Sequence, residues 1–225
     1  MALHWMLIVV LLMSGLLMLV TKLAYHWAPL APTRIHPEPA RKLRGKRLYR
    51  AVFGNMIFSG ALVFAFTYGA LPWLVREPGG GFGLWTVLHG AAVLLVYDFF
   101  YYLLHRFAFH EWKVLRRVHA VHHRVRHPHA VDSLYLHPLE SFLGQGLLFC
   151  CIALLGPLSP VAFVGVVGMH SFLNILVHSG LDLPFFPFRT LGFLARKHDL
   201  HHVSMKGGNY ASLTPLFDRL FGTAE

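Results

Sequence analysis

Residues 3 to 20, LHWMLIVVLLMSGLLMLV, run without a charged side chain. As a helix rising about 1.5 Å per residue this run is about 27 Å long, close to the hydrocarbon thickness of a bilayer. It reads as a membrane span. No basic residue precedes it and no clear small-x-small site follows it, so it is expected to be retained rather than cleaved as a signal peptide. Residues 51 to 75 and 84 to 104 form a second and third apolar run, joined by a tight Gly-rich turn at 76 to 83 into a helical hairpin. The fourth and fifth, 141 to 155 and 161 to 177, are short for full spans and are separated by Gly156, Pro157, Ser159 and Pro160. They fit either a hairpin that dips and returns or two tilted spans. Composition agrees: 13% of residues are charged, against about 25% in a soluble domain, and mean hydropathy is +0.53. The expected fold is an all-α integral membrane protein with four to five transmembrane or deeply inserted helices and a cytoplasmic, histidine-rich helical cap.

The formal charge of +10 would suit a nucleic-acid partner, but no nucleic-acid motif accompanies it. Topology explains the cations better. Of the 20 Lys and Arg, all but Arg76 fall in residues 21–50, 105–140 and 179–225, which the positive-inside rule puts in the cytoplasm. The chain divides into a first span at 1–20, a basic cytoplasmic linker at 21–50 and a membrane-embedded unit at 51–225. Cys150 and Cys151 are adjacent in an apolar run, form no CxxC pair and read as buried packing residues.

The 17 histidines decide the chemistry. Three boxes hold eight of them: His105 and His110 in HRFAFH; His119, His122 and His123 in HAVHH; His198, His201 and His202 in HDLHH. At i, i+3 and i+4 a helix presents all three rings of an HxxHH box on one face, within reach of a common centre. His105 and His110 are about 140° apart around an ideal helix, so they converge only if the helix ends or bends between them, and the third span is expected to terminate there. His137 in HPLE and His178 in NILVHSG bring the candidates to ten. Tetrahedral zinc takes about four ligands, so ten imidazoles on one side suit two metal ions better than one. His4, His26, His36, His89, His127, His129 and His170 read as interfacial or core residues. Asp98, Asp199 and Glu140 are candidates to orient ring N–H groups. Asp98 is the strongest, two turns before His105 within a membrane helix, and with Asn174 it is a candidate catalytic residue.

These boxes, with HSGLDLP at His178 and the closing GNYAS at Gly208 and FGT at Phe221, resemble the sterol desaturase and fatty acid hydroxylase superfamily of membrane di-iron oxygenases. The likeness covers about residues 90 to 223 and is nearest the branch that includes methylsterol oxidases. It implies O2-dependent hydroxylation or desaturation of a membrane lipid such as a sterol or fatty acyl chain at two irons, with zinc as an alternative occupant in purified samples. The chain has no fingerprint for a nicotinamide or flavin, no four-cysteine cluster and no haem motif. Electrons from NAD(P)H are therefore expected through a separate ferredoxin or cytochrome b5-like donor, docked on cations such as Arg116, Arg117, Arg124 and Arg126. No fused cytochrome b5-like domain and no basic retrieval signal is seen, which favours a bacterial inner membrane over the endoplasmic reticulum. Two other classes fit less well. A zinc hydrolase is disfavoured because HEWKV at His110 lacks the second histidine of HExxH. A metal-binding or transport protein is disfavoured because the boxes lie outside the apolar runs.

Overall fold

The computed structural model describes residues 2–37, 45–76 and 83–225. Helices α1 (Leu3–His26), α2 (Gly45–Gly69), α4 (Leu84–Leu103), α6 (Pro138–Leu155) and α7 (Pro160–Val177) are each long and apolar enough to cross a membrane. Short helices α3 (Leu71–Leu74), α5 (Lys113–His119), α8 (Arg189–Val203) and α9 (Leu216–Leu220) complete the order. The chain is an all-α integral membrane protein.

The fourth and fifth apolar runs are two separate 18-residue helices. Pro138 and Pro160 open them, at the first helical turn where a missing N–H costs nothing, and Ser159 caps α7 by accepting from Ala162 N. The basic linker is shorter than the charge pattern suggests, because α1 continues to His26 and α2 begins at Gly45. Arg41, Lys42 and Arg44 of that linker, and positions 77 to 82 of the expected turn, lie outside the described residues.

Helix α7 packs on α1 and α4, and α6 on α2 and α4. Lipid gives helices no hydrophobic reason to associate, so close packing and hydrogen bonds must do it. Gly168 lets Val10 of α1 approach to 3.6 Å of where a Cβ would stand, Gly90 lets Val166 approach to 3.3 Å, and Ser14 hydrogen-bonds Ser171 at 2.9 Å. Leu12, Leu16, Leu19 and Leu23 line the outer face of α1 and remain exposed, as a lipid-facing stripe should. Cys150 is also exposed and only Cys151 is buried, so the two do not share the packing role expected of both.

Successive spans are antiparallel, which gives the bundle two ends. At one, Val75 pairs with Leu158 and His89 reaches Leu155 O. At the other, Arg34 pairs with Leu181, and the three histidine boxes gather between α4, α6, α7 and α8. Of the 17 Lys and Arg among the described residues, all but Arg76 belong to segments of this second end.

Candidate metal centre

The third span does not end at His105. It widens into a π-helical stretch, Leu104–Glu111, continued by a bond from Trp112 N to Phe107 O. Bonding to the fifth residue back brings residues five apart onto one side. His105 and His110 therefore point the same way, with ring centroids 5.0 Å apart.

The HxxHH boxes also differ from expectation, because neither sends its three rings to one centre. His119, His123 and His201 join His105 and His110 in one group; His122, His178, His198 and His202 form a second. Positions i and i+4 of each box go together and position i+3 goes to the other group. The reason is rotational, since i+3 and i+4 are about 100° apart on a helix. In the middle box the helix also stops: α5 ends at His119 and His122–Arg124 is a tighter 3-10 turn. The groups share a wall, with the rings of His123 and His202 stacked at 4.9 Å.

Seven of the nine rings have Nδ1 on a fixed oxygen. In the first group His105 reaches Tyr210 O at 2.7 Å, His110 Met205 O at 2.9 Å, His201 Gly208 O at 2.7 Å and His119 Glu140 Oε1 at 2.7 Å. In the second, His122 reaches Tyr135 O at 3.2 Å, His178 Asn174 O at 2.6 Å and His202 Val125 O at 2.8 Å. An oxygen acceptor there fixes the proton on Nδ1 and leaves Nε2 as a lone pair. Yet those Nε2 atoms face each other: His105 and His119 at 2.9 Å, His178 and His122 at 3.1 Å. Lone pair against lone pair in a buried site is repulsive unless a cation stands between. Ligand nitrogens on one tetrahedral ion lie about 3.3 Å apart when each bond is about 2.0–2.1 Å. Each group's ligand atoms fall within 4.8 Å of one another, so both donor sets fit a metal ion.

Burial reinforces the fit. It holds His119, His198, His201 and His202 well below the ordinary imidazole range, with neighbouring rings adding to the effect. Burial, then His122, brings His178 down to about 3. The rings are neutral, which is the form that binds metal.

The remaining candidates divide. His137 joins neither group: it is exposed, and its Nδ1 accepts from Leu139 N as the cap of α6. Pro138 starts the helix immediately after it, so the ring is committed to the helix end. Glu140 does orient a ring, that of His119. Asp98 does not. Its carboxylate accepts from Ser212 N, Leu213 N, Thr214 N and the Thr214 hydroxyl, pinning the segment whose Tyr210 and Gly208 carbonyls hold His105 and His201. Asp199 instead meets His36 and His127, two histidines read from the sequence as incidental. Asn174 offers its carbonyl to His178 and lines two cavities, one of about 100 Å³ beside the histidines and one of about 160 Å³ between α1, α2, α6 and α7. The main-chain acceptors at 205 to 210 have no side-chain signature in the sequence; the GNYAS motif covers Gly208 and Tyr210 but not Met205.

The fatty acid hydroxylase family model matches residues 90–223. That span contains every histidine of both groups. The chain belongs to this family. It is 36% identical over 137 residues to methylsterol monooxygenase 1 of Rattus norvegicus, covering 60% of this chain and 45% of the relative. For the Gallus gallus protein of that name the figures are 33% over 159 residues, 69% and 52%. A very-long-chain aldehyde decarbonylase, GL1-9 of Oryza sativa subsp. indica, is 31% identical over 134 residues, 58% of this family member and 52% of the relative. The chain thus spans about half the length of these curated relatives. No solved structure matches it.

Proposed function

We propose that this protein hydroxylates or desaturates a membrane lipid, such as a sterol or a fatty acyl chain, with two histidine-bound irons, O2 and externally supplied electrons. The observation that carries the reading is the reciprocal sharing of two HxxHH boxes between two adjacent sets of inward-facing Nε2 atoms. The names of the relatives support the lipid class. When bound, paired irons supply O2 reduction and the oxidising power needed for an unactivated C–H bond; the chain supplies position and environment.

His105, His110, His119, His123 and His201 would hold one ion and His122, His178, His198 and His202 the other. Glu140 keeps the His119 ring turned inward, and the main-chain carbonyls do the same for six others. The 160 Å³ cavity, with Val10, Met56, Leu148 and Phe149 in its walls, meets the histidine-side cavity at Ser59, Gln145, His170 and Asn174. An apolar chain or ring entering between the spans would reach the histidines without crossing water. Gln145 Oε1 is buried there without a hydrogen-bond partner among the described residues, an acceptor suited to a polar group on the substrate.

Arg116, Arg117, Arg124 and Arg126 are exposed at the histidine end, and their charge suits an acidic ferredoxin or cytochrome b5-like donor fed by NAD(P)H. The cation distribution supports a cytoplasmic site. The test compares lipid mass spectra from cells with and without the protein, looking for a gain of 16 or a loss of 2 mass units. His122→Ala should abolish product while expression stays near normal, and His129→Ala should leave the metal content unchanged. Full turnover of His122→Ala, or turnover without O2, overturns the reading.

A further inference from the structure

We propose that His36, His127 and Asp199 form a third metal site, outside the nine-histidine core, for an exchangeable divalent ion of the zinc class. His36 Nε2 lies 3.0 Å from Asp199 Oδ2 and His127 Nδ1 lies 3.2 Å from Oδ1. All three ligand atoms fall within 4.8 Å of one another. The imidazole rings are drawn together to 3.4 Å between centroids at 33°, closer than the roughly 4.5–7 Å usual for aromatic pairs.

Charge favours a cation at this site. The Asp199 side chain is only 6% exposed, and a buried carboxylate needs a positive partner. The cations beside it are engaged elsewhere: Arg196 with Asp182 at 3.1 Å and Lys197 with Asp218 at 2.8 Å. Among the described residues its hydrogen-bond partners are the two imidazoles, and an ion bound by them and this carboxylate would supply positive charge. Two nitrogens and one oxygen suit zinc-class ions better than calcium or magnesium. Three protein ligands leave a fourth position for water, and a cavity of about 420 Å³ opens onto His36 and Asp199 from outside, so the ion can exchange.

Such an ion would join three separate segments. His36 follows α1, His127 lies in the loop whose Val125 carbonyl orients His202, and Asp199 sits on α8 between two core ligands. Occupancy would clip the α1 end to the wall of the second histidine group, raising stability rather than adding chemistry.

The test is Zn2+ titration of the full chain in detergent, read by elemental analysis after gel filtration and by thermal unfolding. Wild type should retain one more equivalent than His36→Ala, and the Zn2+-dependent rise in Tm should be smaller in both His36→Ala and His127→Asn than in wild type. His26→Ala, an exposed histidine at the same end, should behave as wild type. Equal metal content in wild type and His36→Ala overturns the proposal, as does an equal loss in His26→Ala, which would mark binding to surface imidazoles. Failure of the core reading is separate, because a core without iron leaves the difference between wild type and His36→Ala unchanged.

Discussion

The group of five histidines hangs on the chain's last segment, whereas the group of four leans on the ends of helices and tight turns already fixed by the bundle. Met205, Gly208 and Tyr210 lend their carbonyls to the first, within a stretch that is not helical. Tyr135, Asn174 and Val125 lend theirs to the second. The five-membered set has a ligand to spare but a frame that must be tied down; the four-membered set has no spare ligand but needs no such tie. Asp98 and Asp218 are the ties. Asp98 holds residues 212–214, and Asp218, paired with the buried Lys197, accepts from Tyr210 N and Ala211 N. Two buried acids thus reach the candidate metal site through backbone rather than by touching a ring.

Ligand deletion should expose this asymmetry most strongly. His178→Ala leaves three imidazoles in the smaller group, so the metal-to-protein ratio should fall from two towards one and product formation by at least about 100-fold, beyond the loss expected for an outer hydrogen-bond partner. His110→Ala leaves four in the larger group, and both metals should remain after gel filtration. Elemental analysis of the two variants side by side decides it. If His110→Ala loses a metal as readily as His178→Ala, the fifth imidazole is not spare.

The middle effect concerns the frame. Asp98→Asn keeps the shape but removes the charge and turns an NH2 group towards donors at Thr214, a cost of about 2–3 kcal/mol for a buried charged acceptor. The lost order should fall on the Tyr210 and Gly208 carbonyls. Gly208 leaves little slack, because a Cβ there would stand 2.0 Å from Thr223 O. In a His178→Ala background, where only the larger group holds metal, adding Asp98→Asn should lower the ratio further below one. An unchanged ratio in the double variant would mean that the last segment does not govern the larger group.

Much of this was legible in the sequence, and the misses have common causes. The first three spans follow from uncharged length, the last two runs are too short to choose between a hairpin and two spans, and the two boxes follow from their i, i+3, i+4 spacing. Periodicity gave the ring directions but not their destinations. Whether three rings spread over about 100° share one ion or serve two depends on what packs opposite them, and the last box begins at His198, 75 residues after His123 ends the middle one. The π-helical turn at Leu104–Glu111 was hidden for another reason: it is a change of backbone hydrogen bonding with no residue type of its own. Asp199 and its two histidines were missed because each lies in a different segment, so no local spacing joins them.

The smallest effect tests a residue that belongs to neither group. His137 was expected among the ligands from its position before an apolar run, yet its Nδ1 accepts from Leu139 N at 3.1 Å and its side chain is exposed. Removing a helix cap costs about 0.5–2 kcal/mol, so His137→Ala should lower Tm slightly and leave the metal ratio at two. A second-order loss of activity is expected, because Glu140 sits in the first turn of α6 and fraying there slackens the bond that turns His119 inward. His137→Asn separates the two roles. Asparagine caps a helix well but cannot replace an imidazole on a metal ion, so the variant should recover both Tm and activity if the residue works through the helix end. Recovery of Tm with a ratio stuck near one would return His137 to the ligand set and mean that the four-membered group has a fifth member after all.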